Sequence, residues 1–156
     1  MKFVYAVFIL LLLLVTSAQC QQTAEDWCNK GNALGIQGKY DEAIKAFDEA
    51  IRLDPKLVMA WSNKGTTLGI QGKYDESIKA FDEVIRLDPH LAIAWSNKGN
   101  ALNYQGKYDE AIKAYDEAIR LDPNIATAWY NKGLALGKQG KYDEAIEAFD
   151  LSLIHI

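Results

Sequence analysis

The sequence predicts an all-α solenoid of stacked antiparallel helical hairpins, and two observations support this prediction. The first is a strict internal period of 34 residues, which is marked by the four tryptophans Trp27, Trp61, Trp95 and Trp129. The second is that each period contains two amphipathic segments of helical spacing, joined by the motif Gly-Lys-Tyr-Asp. A single hairpin of this kind cannot bury both of its apolar faces, so neighbouring copies have to stack on one another.

The second period, residues 58–91, shows how the first helix of each unit is specified. The helix is predicted from near Met59 to Gln71, where the apolar spacing ends. The residue that follows is Gly72, and a glycine at this point suits a helix C-terminus that requires a positive φ.

The second helix of the unit is predicted from near Asp75 to Arg86, with acidic residues at its N-terminus and a cation at its C-terminus. We interpret the acidic pair Asp75-Glu76 and its counterparts as helix starts and a solvated face. The dipeptide Asp88-Pro89 then ends the helix, because proline cannot continue it but can open the next one. Two oppositely charged pairs lie four residues apart and are each expected to add about 0.3 kcal/mol: Asp75 with Lys79 and Asp82 with Arg86.

Each helix of the unit presents an apolar stripe. The stripes consist of Trp61, Gly65 and Leu68 on the first helix and of Tyr74, Ile78, Phe81 and Ile85 on the second. The small residues Gly65 and Ser77 are expected to let the two backbones approach closely. We interpret the tryptophans as core residues and not as a stacking platform for a cofactor or nucleic acid. Burying about 200 Å² of each ring would contribute at most about 5 kcal/mol per repeat.

This pattern resembles the tetratricopeptide repeat, whose signature places Trp, Leu-Gly, Tyr, Ala, Phe and Pro at the same spacings. In the second unit the matching residues are Trp61, Gly65, Leu68, Ser77, Phe81 and Pro89. The resemblance covers three full units and a truncated fourth, at residues 24–57, 58–91, 92–125 and 126–150. It implies a right-handed superhelix with a concave groove. Lysines stand where the family often has leucine, which is expected to leave that position half-exposed: Lys30, Lys64, Lys98 and Lys132.

The N-terminus differs in composition from the repeats. Lys2 precedes a run of 13 apolar residues, Phe3–Val15, and small residues follow it. This is typical of a signal peptide at residues 1–18 that is cleaved after Ala18. The run is shorter than the ~20 residues that a membrane-spanning helix needs. We therefore expect an exported protein, secreted or held in the cell envelope, with residues 19–23 as a short N-terminal segment.

The two cysteines, Cys20 and Cys28, allow more than one interpretation. Export permits a disulfide, but Cys28 lies in a predicted helix and Cys20 in the terminal segment. Two unpaired or incidentally paired thiols are the simpler interpretation. Alternatively, Cys20 is acylated and anchors the protein to a membrane, although Gln19 directly before it fits a lipoprotein motif poorly.

The chain departs from its own pattern after Asp150. The repeat predicts Glu-Ala-Ile-Arg-Leu-Asp-Pro at this point, whereas residues 151–156 read Leu-Ser-Leu-Ile-His-Ile. The codons CTG TCT CTT ATA CAC ATC would encode this hexapeptide, and they resemble the transposon-end adapter of sequencing libraries. We interpret residues 151–156 as an adapter-derived tail on a fragment that is cut inside a helix; a natural end is the alternative.

Composition and motifs argue against an enzyme. The net charge of −4 disfavours a nucleic-acid partner. His90 lies in a predicted inter-repeat turn and His155 in the suspected tail, and neither has a Ser or Cys partner at a catalytic spacing. The segment 35–39 lacks the spacer and the Ser/Thr of a phosphate loop and is read as a turn. We predict no catalytic, cofactor or metal site and no small-molecule substrate.

In tetratricopeptide arrays the side of the first helix that faces away from its tryptophan lines the concave groove. In this chain that side carries an asparagine in every unit: Asn29, Asn63, Asn97 and Asn131. The further groove positions are Asn32, Thr66, Asn100, Met59, Ile93, Ile36, Ile70 and Tyr104. An amide both donates and accepts, so the row is predicted to pair with the backbone of an extended peptide. A similar ladder is used by O-GlcNAc transferases. Alternatively, asparagine in this position helps to hold neighbouring helices together.

The groove is predicted to take a neutral or weakly apolar segment, because its flanking positions lack the cations that would clamp a C-terminal carboxylate. We therefore expect an exported scaffold that binds a protein or peptide partner. Two alternatives are the targeting arm of a longer enzyme or transport component and a structural envelope protein that self-associates through complementary repeat ends. Replacing Asn63 and Asn97 together by Ala is expected to weaken peptide binding and leave helicity unchanged.

Overall fold

The computed structural model describes residues 22–155, which form four antiparallel helical hairpins stacked in chain order. The eight helices are α1 (Ala24–Ile36), α2 (Tyr40–Leu53), α3 (Val58–Ile70), α4 (Tyr74–Leu87), α5 (Ala92–Tyr104), α6 (Tyr108–Leu121), α7 (Ala126–Lys138) and α8 (Tyr142–Ile154). Each helix packs against the next one along the chain. The predicted all-α array of hairpins is therefore confirmed. The predicted signal peptide and Cys20 lie outside the described residues, whereas residues 151–154 of the suspected tail continue α8.

The turn inside each hairpin depends on one glycine in a left-handed conformation. Gly72 has a φ of 75°, and the backbone N–H of Lys73 donates to the carbonyl oxygen of Leu68 at 2.9 Å. This hydrogen bond closes the C-terminus of α3 in the manner of a Schellman motif. The helices predicted near Met59–Gln71 and Asp75–Arg86 are thus present as α3 and α4, each with ends within about one residue of the prediction.

The two helices of each hairpin approach closely at the predicted small residues. The hydroxyl of the buried Ser77 donates to the carbonyl oxygen of Gly65 at 2.7 Å. The ring of Phe81 lies over the same glycine, and a Cβ added to Gly65 would come within 3.0 Å of the ring. The other hairpins repeat this contact with Gly31 against Phe47, Gly99 against Tyr115 and Gly133 against Phe149. Glycine is therefore the residue that admits the aromatic ring.

The tryptophans pack against the core but are not fully enclosed. Trp61 contacts a buried cluster that contains Phe81 and Val84, yet the indole itself is only half-buried. Its ring N–H donates to the carbonyl oxygen of Pro55 at 3.0 Å. Lys64 lies over the ring, 5.4 Å from its centre, with 22% of its side chain exposed. The ring thus combines core packing with a fixed polar edge, and the lysine position is partly exposed as expected.

The predicted pairings of Asp75 with Lys79 and of Asp82 with Arg86 are both wrong. Oδ1 of Asp75 lies instead 3.9 Å from Nζ of Lys107 in the next hairpin. The Nε of Arg86 lies 2.8 Å from Oε2 of Glu83, and Oδ1 of Asp82 lies 2.6 Å from Nζ of Lys98 in the next hairpin. Stacking brings Lys98 within reach of Asp82, so the aspartate serves the junction between repeats. The same junction recurs between Lys64 and Asp48 and between Lys132 and Asp116.

Within residues 22–155 the first helices of successive hairpins contact one another, whereas the second helices do not. The array is therefore curved, and α1, α3, α5 and α7 line its inner side. No helix in this part of the chain combines the length and the apolar character needed to cross a membrane.

Candidate peptide-binding groove

All twelve predicted groove residues lie on the inner helices α1, α3, α5 and α7. Seven of them are exposed: Asn29, Ile36, Met59, Thr66, Ile70, Ile93 and Tyr104. The other five are half-buried asparagines: Asn32, Asn63, Asn97, Asn100 and Asn131. The inner surface thus offers exposed apolar side chains between partly covered amides.

The asparagine row is divided by contacts between neighbouring repeats. The Nδ2 of Asn63 donates to Oδ1 of Asn32 at 2.7 Å, and the Nδ2 of Asn131 donates to Oδ1 of Asn100 at 2.8 Å. These two bridges join the first inner helix to the second and the third to the fourth. At these two steps asparagine does hold neighbouring helices together, which was the alternative interpretation.

The middle step between α3 and α5 lacks such a bridge. Thr66 stands at the position of Asn32 and Asn100, and its hydroxyl donates instead to the carbonyl oxygen of Ser62 in its own helix, at 3.0 Å. Among residues 22–155, Asn97 makes no side-chain hydrogen bond. Its amide therefore offers both a donor and an acceptor at this step.

A pocket of about 430 Å³ opens at this middle step. Its walls are Thr66, Ile70, Asn97, Asn100 and Tyr104 from the inner helices, with Tyr74, Ser77 and Phe81 of α4 behind them. Five predicted groove residues thus converge on one cavity. The ring of Tyr104 stacks on that of Tyr74, with centroids 5.5 Å apart and planes 10° apart. Helical spacing placed Tyr74 on the apolar stripe of its helix and did not predict this stack.

Tyr115 fixes the position of Asn100, which lines one edge of the pocket. It replaces the phenylalanine of the other three hairpins, and its hydroxyl donates to Oδ1 of Asn100 at 2.9 Å. The side chain is fully buried, and burial raises the pKa of the Tyr115 hydroxyl. Asn100 therefore accepts two hydrogen bonds, from Tyr115 and from Asn131, through the same oxygen.

The remaining chemistry of the inner side is sparse. Cys28 is buried, its Sγ lies 3.8 Å from Nδ2 of Asn63, and burial raises the pKa of its thiol. Within residues 22–155 no group of three or more His, Cys, Asp or Glu side chains forms a candidate metal site. The pocket at the middle step is lined by side chains without formal charge.

In the second, third and fourth hairpins the glutamine before the turn joins neighbouring repeats, which the sequence analysis did not predict. The side-chain amide of each donates to an aspartate of the preceding hairpin: Gln71 to Asp41 at 3.0 Å, Gln105 to Asp75 at 2.7 Å and Gln139 to Asp109 at 2.7 Å. Hydrogen bonding from Gln71, and then from Lys73, lowers the pKa of the Asp41 carboxyl. The signal was the recurrence of glutamine at one fixed position of every unit.

Family models agree with this repeat structure. Models described as tetratricopeptide repeat match residues 24–57, 58–91, 80–113 and 126–155, and one described as TPR repeat matches residues 99–140. The chain belongs to the tetratricopeptide repeat family. Its matched segments together span all four hairpins, and tetratricopeptide arrays of this kind are scaffolds for protein–protein interaction.

Solved tetratricopeptide structures show the same fold. A crystal structure of MamA is 26% identical, with a TM-score of 0.82, and the match covers 90% of this chain and 82% of that one. MamA from Desulfovibrio magneticus RS-1 is 24% identical, with a TM-score of 0.81 and coverage of 86% and 76%, a likeness of fold alone. A stretch of 36 residues is 50% identical to the anaphase-promoting complex subunit CDC27 of Saccharomyces cerevisiae. That match covers 23% of this chain and 5% of that protein.

Proposed function

We propose that this protein is an exported scaffold that binds an extended, uncharged peptide segment of a partner protein along its inner helices. The observation that carries the proposal is the exposure of apolar side chains on that inner surface. Met59 is 49% exposed, Ile70 61% and Ile93 45%. Apolar groups that face a groove lined by amides favour a peptide that contributes both apolar side chains and backbone hydrogen bonds.

The amides supply the backbone recognition in this proposal. Asn97 offers a free donor and acceptor. Asn131 keeps one N–H and its oxygen after bridging to Asn100, whereas Asn63 donates to both Asn32 and Cys28 and keeps only its oxygen. Asn97 is therefore the stronger contact for a peptide. Because Asn63 also joins two helices, the double replacement of Asn63 and Asn97 would change stability as well as binding, and Asn97→Ala alone is the cleaner test.

Export belongs to the proposal through residues 1–18, whose charged start, apolar run and small residues are those of a signal peptide. A fusion of residues 1–23 to a reporter enzyme that is active only outside the cytoplasm is expected to yield activity. Deletion of Phe3–Val15 is expected to abolish it. Reporter activity that survives this deletion would contradict export.

Peptide binding is tested by selection from a library of displayed linear peptides, followed by measurement of affinity in solution. The variant Met59→Glu/Ile93→Glu places two carboxylates on exposed groove positions and is expected to lower the affinity of the selected peptides at least about tenfold. Lys79→Glu on α4 makes the same change in net charge away from the inner side and is expected to leave the affinity unchanged. Circular dichroism checks that both variants are folded. Equal loss in both variants, or no loss in either, would refute the groove as the binding surface.

A further inference from the structure

The three steps between inner helices are not equivalent, although the repeats are nearly identical. Asparagine bridges close the first and third steps, while Thr66 leaves α3 and α5 without a side-chain hydrogen bond between them in the described part of the chain. The pocket of about 430 Å³ lies at this middle step. A volume of this size falls within the range of small ligand sites, ~300–1,000 Å³.

Tyr104 forms an aromatic wall of the pocket, and among the four equivalent positions of the inner helices it is the one aromatic residue. Tyr104 stands where the first, second and fourth repeats carry Ile36, Ile70 and Lys138. It stacks on Tyr74 and is nevertheless 72% exposed. A flat, largely exposed ring that a second ring holds in place is a ready surface for a further aromatic group.

The rim of the pocket carries two amides with different roles. Asn97 has both donor and acceptor free, so it can pair with the N–H and C=O of one extended peptide residue. The oxygen of Asn100 already accepts from Tyr115 and Asn131, which turns its amide nitrogen into a donor of fixed orientation. A neighbouring peptide carbonyl is the complementary group.

From these contacts we propose that the pocket between α3 and α5 is a specificity site for one aromatic side chain of the bound segment. This inference rests on the proposed groove function and adds the identity of the side chain to it. The aromatic ring packs against Tyr104 and Ile70, while Asn97 and Asn100 hold the backbone on either side of it. A charged side chain is excluded, because it would lose hydration against walls that carry no opposite charge.

The smallest probe of this site is an amino acid with an amide on each side, such as N-acetyl-phenylalanine N-methylamide. Titration of this probe is expected to shift the side-chain amide NMR signals of Asn97 and Asn100 saturably, with a millimolar dissociation constant. The corresponding leucine probe is expected to bind about tenfold more weakly. The lysine probe is expected to cause no saturable shift, and equal binding of the lysine and phenylalanine probes would overturn the proposal.

The repeats themselves supply variants that are compatible with the fold. Thr66→Asn introduces the residue of positions 32 and 100 and is expected to bridge to Asn97, which closes the pocket and abolishes the shifts. Tyr104→Ile introduces the residue of positions 36 and 70 and is expected to lower the affinity for the phenylalanine probe about tenfold. Tyr142→Ile makes the same chemical change on an exposed part of α8 and is the matched control.

The result separates this inference from the groove function on which it rests. Loss of phenylalanine binding in both pocket variants, with normal binding in the Tyr142→Ile control, supports the aromatic site. Selected peptides that depend on Met59 and Ile93 but show no aromatic preference and no loss with Tyr104→Ile would overturn the aromatic site and leave groove binding intact. If no peptide depends on the inner surface, both proposals are refuted.

Discussion

At the scale of single residues, the hairpins depend on a glycine that faces an aromatic ring. A Cβ added to Gly31 would lie 2.5 Å from the ring of Phe47, whereas a Cβ added to Gly35, one turn later in α1, would meet nothing within 4 Å. Both glycines are within a helix, where alanine is intrinsically preferred. The two positions therefore separate helix propensity from packing.

Gly31→Ala is expected to destabilise the protein by about 1–3 kcal/mol, because the added methyl group displaces a buried ring. Gly35→Ala is expected to stabilise it by about 0.5–1 kcal/mol through helix propensity alone. Denaturant unfolding of the two variants measures both values. A similar loss of stability in both would show that the ring contact is not the reason for Gly31.

A second prediction at this scale concerns the buried hydroxyl of Tyr115. Burial raises the pKa of Tyr115 in the folded state, so its contribution to stability is full below the unfolded value of about 10 and is lost as the pH rises beyond it. Tyr115→Phe is expected to cost about 1 kcal/mol near neutral pH, since a buried hydrogen bond is lost. It is also expected to reduce the loss of stability between about pH 8 and pH 10.5.

Denaturant unfolding at the two pH values, with Tyr142→Phe as a control for the loss of one tyrosine, tests this prediction. Tyr142 is an exposed residue of α8. An alkaline loss of stability that is the same in Tyr115→Phe and in the wild type would contradict a role for the buried hydroxyl.

At the scale of elements, α1 begins differently from the other inner helices. The Thr23 hydroxyl accepts from the backbone N–H of Asp26 at 3.1 Å, and the Asp26 carboxylate accepts from the backbone N–H of Thr23 at 2.9 Å. The helices α3, α5 and α7 begin after Leu57, Leu91 and Ile125 and have no side-chain cap. These three helices follow a stacked hairpin that fixes the preceding turn, whereas in the described residues α1 relies on its capping box.

Thr23→Ala is therefore expected to destabilise α1 by about 1 kcal/mol, while Thr23→Ser keeps the cap and is expected to have a smaller effect. The backbone hydrogen bond from Thr23 also lowers the pKa of Asp26. The stabilising effect of this hydrogen bond is thus fully present above the pKa of Asp26 in the unfolded state, about 4. It is lost as the pH falls through the lower pKa of the folded state. Amide hydrogen exchange of α1 measures the change, and unaltered protection in Thr23→Ala would contradict the importance of the cap.

At the scale of the whole molecule, the three junctions between successive hairpins are built from nearly the same residues. The corresponding face of α1, on which a preceding hairpin would stack, differs from them. The junctions bury an alanine of each following inner helix: Ala60, Ala94 and Ala128. The equivalent residue of α1 is Asp26, and Thr23 stands in place of Leu57. Stacking α1 on another copy would bury the Asp26 carboxylate against an apolar face, and the lost hydration of this charge disfavours the contact.

The double variant Thr23→Leu/Asp26→Ala gives α1 the stacking face of the other inner helices. We therefore expect it to associate end to end more strongly than the wild type. Size-exclusion chromatography with light scattering over a dilution series measures the difference. Asp26→Asn, which keeps a polar group at the junction, is the control. Association of the wild type over the same concentrations as the double variant would support the self-associating structural role instead.

The sequence alone was sufficient to predict the hairpins and most of the inner surface. Period, turn glycines and apolar spacing are local features, and each acts within one unit, so α3 and α4 were predicted to within about one residue. For the same reason, the twelve predicted groove residues all lie on the inner helices. Their role in binding stays a prediction. Their partners could not be predicted, because a partner is set by which side chain of the neighbouring repeat comes within hydrogen-bonding distance.

Only the tertiary structure decided which asparagines of the row bridge neighbouring helices and which one does not. Asn63 and Asn97 occupy the same position of the repeat, yet Asn63 meets Asn32 and Asn97 meets Thr66, whose shorter side chain bonds to its own helix. Asp82 likewise stands four residues before Arg86 on the same helix, but its carboxylate pairs with Lys98, which the stacking of the next hairpin brings close to it. The amino-acid sequence thus determined the repeated fold through short-range patterning. Contacts between repeats, which depend on the residues opposite, determined where the groove is bridged and where it is open.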